Sequence, residues 1–240
     1  MKVIVGNNEQ LSKLIAEEFI KVINNKPNAV LGLATGTSPL GVYANLVKAN
    51  KEGRVSFKRC TTFNLDEYVG LEGTHNQSYR YFMNDNLFNH IDINKENTNV
   101  LLGVGDYKAF MNKYDDMIKQ AGGIDIQILG IGSDGHIAFN EPGTSFDSLT
   151  HETELTEQTI KDNSRLFNDI SEVPTRAVTM GLKSIMNAKK IVLIATGKNK
   201  AKAVYGLIKG PISEDMPCSI LQKHPDVTVY VDEEAYSLVK

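Results

Sequence analysis

Short, almost wholly apolar runs alternate along this chain with stretches whose apolar residues recur at helical spacing, and nothing else constrains its fold as strongly. "KVIV" (2–5) precedes "LSKLIAEEFIKVI" (11–23), where Leu11, Leu14, Ile15, Phe19, Val22 and Ile23 make a helical stripe. "AVLGLAT" (29–35) leads into "SPLGVYANLVKAN" (38–50), with Ser38 as a capping hydroxyl and Pro39 as a first-turn residue whose missing N–H costs nothing. The runs "CTTFNL" (60–65), "IDIQILGIG" (124–132), "KIVLIAT" (190–196) and "VTVYV" (227–231) read as strands. Helical patterns cover "SYRYFMNDNLF" (78–88), "KNKAKAVYGLIK" (198–209) and "YKAFMNKYDDMIKQA" (107–121), the last stopped by Gly122-Gly123. Strands that are apolar on both faces belong in a parallel sheet covered on both sides. The expected fold is α/β: a doubly wound, largely parallel, Rossmann-like sheet with helices on both faces. No linker or repeat divides residues 1–240, so a single domain is expected. The rhythm breaks in the polar segment 140–176, which makes about 145–175 a mobile lid over the site.

In such a sheet the ligand sits beyond the carboxyl ends of the strands. Four expected strand ends carry polar or glycine-rich tails: Thr35-Gly36, Asn64–Asp66, Gly130–His136 and Thr196-Gly197. The first delivers Thr35, Gly36, Thr37 and Ser38 to a helix N-terminus, where free N–H groups and the dipole favour an anion. An ordinary capped helix explains those residues equally well, although the length of the polar run leans toward anion binding. The Walker spacing and its lysine are absent. At the second end, Asp66 and Glu67 sit side by side among Leu65, Tyr68 and Val69, which could desolvate one of them into a better base. Taken in isolation, an Asp capping the next turn is the simpler account.

The third end is "GIGSDGHIAFNEPG" (130–143). Its Gly130, Gly132 and Gly135 fit the dinucleotide pattern, yet no helix can follow, because Pro142 ends one within two turns. What remains is Asp134, His136 and Glu141 within eight residues. An imidazole between two carboxylates has one nitrogen held and the other available to move a proton near neutral pH. Metal binding would use the same residue types, but His75, His90, His151 and His224 lie at no ligand spacing from His136. Arg165 falls within the expected lid, and Lys198, Lys200 and Lys202 cluster at a helix start, where cations are unfavourable unless an anion intervenes.

A net charge of −3 supplies no basic excess for a nucleic acid, and no apolar run approaches the roughly eighteen residues of a membrane span. Two cysteines make no disulfide framework. Together with an N-terminus lacking a signal-peptide core, this gives the expectation of a cytoplasmic protein acting on a small molecule, with no nucleic-acid or membrane partner.

Taken together, "LGLATGTSP", "TFNLDEYVGL", "NQSY", "GIGSDGHIAFNEPG", "NSR" and "TGKNKA" resemble, in order and spacing over essentially the whole chain, the glucosamine-6-phosphate deaminase/isomerase family. The 6-phosphogluconolactonases of the same superfamily share the phosphate loop and a D-G-H element, but follow it with a T-A-S-L-F-P-like run in place of the N-E-P here. The resemblance implies conversion of glucosamine 6-phosphate and water to fructose 6-phosphate and ammonia, with no cofactor and no metal. It implies His136 in ring opening, tuned by Asp134 and Glu141, and Asp66 as the base that carries the C2 proton to C1. The phosphate would be held by Thr35, Gly36, Thr37, Ser38, Arg165 and Lys200. Larger members are hexamers activated by N-acetylglucosamine 6-phosphate through basic residues soon after N-E-P. Here "TSFDSLTHETEL" (144–155) has no Arg or Lys, so a non-allosteric monomer or small homo-oligomer is expected. The alternatives are a lactonase and a non-catalytic sugar-phosphate sensor.

Overall fold

The computed structural model describes residues 1–164 and 167–240. The chain opens with β1 (Lys2–Val5), α1 (Asn8–Asn25), β2 (Val30–Leu33), α2 (Leu40–Lys51) and β3 (Thr61–Asn64). It continues through β4 (Asp66–Tyr68), α3 (Tyr79–Met83), β5 (Thr98–Asn99), α4 (Tyr107–Gln120) and β6 (Ile126–Leu129). After these come β7 (His151–Glu154), α5 (Glu157–Ser164), β8 (Arg176–Thr179) and α6 (Leu182–Met186). The last elements are β9 (Ile191–Ala195), α7 (Ala201–Ile208) and β10 (Val227–Val231).

Seven strands form one parallel sheet in the order β1-β10-β9-β6-β2-β3-β5. Every residue of β2, β6, β9 and β10 is buried, as two-sided cover by helices requires. From β2 the chain steps outward to β3 and β5, then returns to the other side of β2 at β6 and proceeds to β9 and β10. That reversal opens a crevice between the carboxyl ends of β2 and β6, the position where open α/β sheets bind ligands.

Helix α1 starts three residues before its expected apolar stripe, because the Asn7 carboxamide accepts from the Gln10 N–H at 2.9 Å and the Gln10 side chain accepts from the Asn7 N–H at 3.2 Å. Leu11, Ile15, Phe19 and Ile23 of the stripe are buried, whereas Leu14 is exposed and falls outside it. Helix α2 departs more from expectation. Ser38 makes no capping bond; Pro39 occupies the cap position in helical conformation, and the helix begins at Leu40. The Ser38 hydroxyl is thereby left to the crevice.

A second sheet, unanticipated from the sequence, is antiparallel in the order β4-β8-β7. The chain passes from one sheet to the other at Leu65, whose N–H bonds to Leu33 of the parallel sheet and whose carbonyl accepts from Met180 beyond β8. Asp66 is the next residue. A small apolar cluster of Tyr68, Phe139, Leu155 and Ala177, with Tyr79, Ile160 and Phe167 packed on it, joins the second sheet to the polar segment above the crevice.

Candidate active site

The crevice is a cavity of ≈ 840 Å³. All four polar strand ends singled out in the sequence reach it: Thr35–Ser38 after β2, Asp66 after β3, Gly130–Ser133 with His136 after β6, and Thr196 with Lys200 after β9. Because β3 and β9 lie on opposite sides of the β2–β6 pair, Asp66 and Lys200 enter from opposite ends.

The turn after β2 is built for close approach to backbone. Gly36 has φ of 91°, a left-handed conformation that strains any residue with a Cβ. Beyond β9, the Gly197 N–H is held by both oxygens of Asp232, at 2.9 and 3.1 Å, which sets the course of the loop carrying Asn199 and Lys200. Of the expected phosphate ligands, Thr35, Gly36, Thr37, Ser38 and Lys200 line the cavity together. Arg165 lies outside the described residues.

Asp66 and Glu67 are neighbours in β4, so their side chains leave on opposite faces. Asp66 faces the cavity at 6% exposure, and burial, aided by the Glu67 charge, pushes its carboxyl from 3.8 up to about 8. Glu67 instead takes three backbone N–H groups: Tyr68 and Tyr79 donate to Oε1, both at 2.9 Å, and Arg80 donates to Oε2 at 3.0 Å. It therefore satisfies the free N-terminus of α3. Burial still pushes Glu67 up to about 7 against those donors. The expected pair of adjacent acids is one cavity acid and one structural acid.

In the loop after β6, Nδ1 of His136 lies 2.7 Å from Oδ1 of Asp134 and 3.5 Å from Oε2 of Glu141. Asp134 is held down at about 2, chiefly by its bond to the imidazole. With Nδ1 thus engaged, Nε2 is the nitrogen available to the cavity. The ring packs flat against Gly132, where a Cβ would stand 2.3 Å from Cε1 and Nδ1. Asn140 locks the loop: its buried carboxamide donates to Ile137 O at 2.9 Å and to Met180 O at 2.8 Å. Between them Ala138 takes φ of 53°, rare for a residue with a side chain, and borders the cavity. Ligand atoms of Asp134, His136 and Glu141 come within 4.8 Å of one another. Such a spacing admits a cation, but a single imidazole with two carboxylates suits acid–base work at least as well.

Three further groups went unnoticed in the sequence. Tyr79, stacked on Phe139 with centroids 6.1 Å apart, forms the wall beside Asp66. Asn8, at the start of α1, also lines the cavity. Thr159 of α5 donates its hydroxyl to Oε1 of Glu141 at 2.5 Å. Only the T-x-x-T spacing of Thr156 and Thr159 could have pointed to the last of these.

Over residues 7–230 the chain matches the family described as glucosamine-6-phosphate isomerases and 6-phosphogluconolactonases. It is 53% identical to a glucosamine-6-phosphate deaminase of Thermoanaerobacter pseudethanolicus, across 100% of this chain and 95% of that one. A deaminase of Mycoplasma mycoides subsp. mycoides SC is 52% identical, across 99% and 97%. A solved monomeric glucosamine-6-phosphate deaminase superposes with a TM-score of 0.96 at 46% identity, covering 99% of this chain and 100% of its own. A 6-phosphogluconolactonase from Trypanosoma brucei, at 16% identity and a TM-score of 0.78 over 100% and 98%, shares the fold.

Proposed function

The chain belongs to the glucosamine-6-phosphate isomerase/6-phosphogluconolactonase family, and from that premise we propose how its cavity works. The reaction is that of the deaminases: glucosamine 6-phosphate and water become fructose 6-phosphate and ammonia. The phosphate is held at the Thr35–Ser38 turn with Lys200, and the sugar extends toward Asp66. Nε2 of His136 relays the proton between the anomeric hydroxyl and the ring oxygen as the pyranose opens. Its other nitrogen, against Asp134 and Glu141, is stabilised while the ring is charged. The Asp66 carboxylate then removes the C2 proton and returns it to C1, while the C1 oxygen gains a proton and the amino nitrogen loses one, leaving a C1 hydroxyl and an imine at C2. Water adds to that carbon, and ammonia departs.

One observation carries the assignment: Asp66, His136 and the Thr35–Ser38 turn border one cavity. The rise of Asp66 fits a base that must work on an amine. Burial, aided by the Glu67 charge, lets the carboxyl keep its proton to about pH 8. A substrate ammonium at C2, beside it in a site of low dielectric, favours the ionised form and so arms the base on binding. Purified protein with glucosamine 6-phosphate, followed for ammonia and fructose 6-phosphate beside Asp66→Asn and His136→Gln, tests the roles. Asp66→Asn is expected to lose turnover while still binding substrate, since the carboxamide keeps the shape and cannot accept the proton. Full turnover in either variant overturns that residue's role.

The protein acts as a monomer with hyperbolic kinetics on this reading, supported by its likeness to a monomeric deaminase and by the lack of Lys or Arg in 144–155. Residues 1–240 form one domain, with 145–175 as the lid that excludes water. Two free, buried cysteines suit a reducing cytoplasm. Among the described residues, no helix is long and apolar enough to cross a membrane.

A further inference from the structure

Glu141 is held from two sides. One oxygen, Oε2, faces the imidazole of His136 at 3.5 Å. The other, Oε1, faces the polar segment above the cavity. Thr159 donates to it at 2.5 Å, and Thr156 stands 3.4 Å away. Thr156 is itself placed by capping α5, its hydroxyl accepting the Thr159 N–H at 3.2 Å while lying 3.0 Å from the Thr159 hydroxyl. The two hydroxyls form a short chain ending on the carboxylate, an arrangement in which each bond polarises the next. Thr159 and Glu141 are only 6% and 7% exposed, so water cannot replace this donor freely. Both threonines belong to the segment that packs Leu155 and Ile160 onto the Tyr68–Phe139 cluster.

We propose that Thr159 is a positioning residue through which the seating of α5 fixes the aim of Glu141 and, through it, the seat of the His136 imidazole. The inference rests on the assignment of His136 to ring opening. When α5 is seated, the Thr159 hydroxyl holds Oε1 and so turns Oε2 to the imidazole. When α5 lifts, the carboxylate loses its donor and is free to turn away from the ring. Closing the segment thus arms the ring-opening pair at the moment water is excluded. Among the described residues, the other ionisable side chains in play are Asp134 across the imidazole, Asp66 from β4, Lys161 from α5 and Lys200 after β9.

The test is kcat and KM of Thr159→Val, which keeps the shape and deletes the donor, beside Thr159→Ser, which keeps the donor, and His136→Gln. The valine variant is expected to lose about tenfold in kcat while KM stays within about twofold of the parent. Serine is expected to restore kcat to within about twofold of the parent. A valine variant with the parental kcat overturns the proposal. So does equal damage by valine and serine, which marks a packing role for the methyl group. Full turnover in His136→Gln removes the ring-opening assignment itself, whatever the threonine variants show.

Discussion

The β4 wall and the 134–141 loop each bring a carboxyl group to the site, and the two groups stand in opposite states. Asp66 is buried, and desolvation, aided by the neighbouring Glu67 charge, raises it to about 8. Asp134, more exposed and in contact with an imidazole, is held down at about 2. On the proposed mechanism, the same side chain therefore serves as a proton carrier in one place and as a permanent negative charge in the other. Separating two like acids in this way is how one cavity runs base and acid steps at one pH. The backbone makes the separation: a strand edge carries Asp66 inward, and a glycine-rich loop lets Asp134 double back onto the ring two residues ahead.

The sharpest break in that comparison lies within β4. Asp66→Asn should lower kcat by about a thousandfold, the scale of losing a positioned general base. The neighbouring Glu67→Gln should keep turnover within about tenfold and instead lose stability, on the order of 2 kcal/mol, because three backbone N–H groups lose a charged acceptor. Steady-state kinetics beside urea denaturation of both variants separates these outcomes. Equal loss of kcat in both would show that the pair works as one unit.

A smaller effect is expected from the loop. In Gly132→Ala the new methyl would overlap the His136 ring, whose Cε1 stands 2.3 Å from the ideal Cβ position. The imidazole must tilt off Asp134, so kcat should fall by about a hundredfold with the fold intact, since mispositioning by an ångström has that cost. Normal kcat would mean that the ring need not lie flat to work.

How much of this could be read in advance follows from what each element depends on. The parallel sheet was legible because burial on both faces demands continuous apolar runs such as "IVLIA" in β9. The four polar strand ends were legible for a related reason: polar residues directly after a buried strand need a destination. The antiparallel sheet was not, because "DEY", "HETE" and "RAVT" become strands only through pairing with one another. The divided roles of Asp66 and Glu67 were hidden although strand alternation implies them, since β4 was not recognised as a strand. Ser38 was misread as a cap because Pro39, which needs no donor, can take the cap position itself. Thr159 was invisible because its partner lies eighteen positions away, across a loop whose path the sequence does not reveal.

The raised state of Asp66 also has a thermodynamic signature, smaller than the kinetic ones. Below about pH 3 the folded and unfolded chains both hold this proton. As pH rises from there, the unfolded chain releases it near the ordinary 3.8, while the folded chain keeps it to about 8. Over that window the folded state binds more protons, so its stability falls as pH rises, and the loss is complete above pH 8. Asparagine has no proton to release. Asp66→Asn should therefore melt closest to the parent at about pH 4 and below, and progressively above it toward pH 8, where the gap reaches a few kcal/mol, or roughly 5–10 °C. Glu67 moves in the same direction but is present in both proteins, so most of its contribution cancels in the difference. Calorimetry of the two proteins across this range measures the gap directly. Parallel melting curves would mean that water or a neighbouring donor already solvates the Asp66 carboxylate, and the contrast with Asp134 would then lose its physical basis.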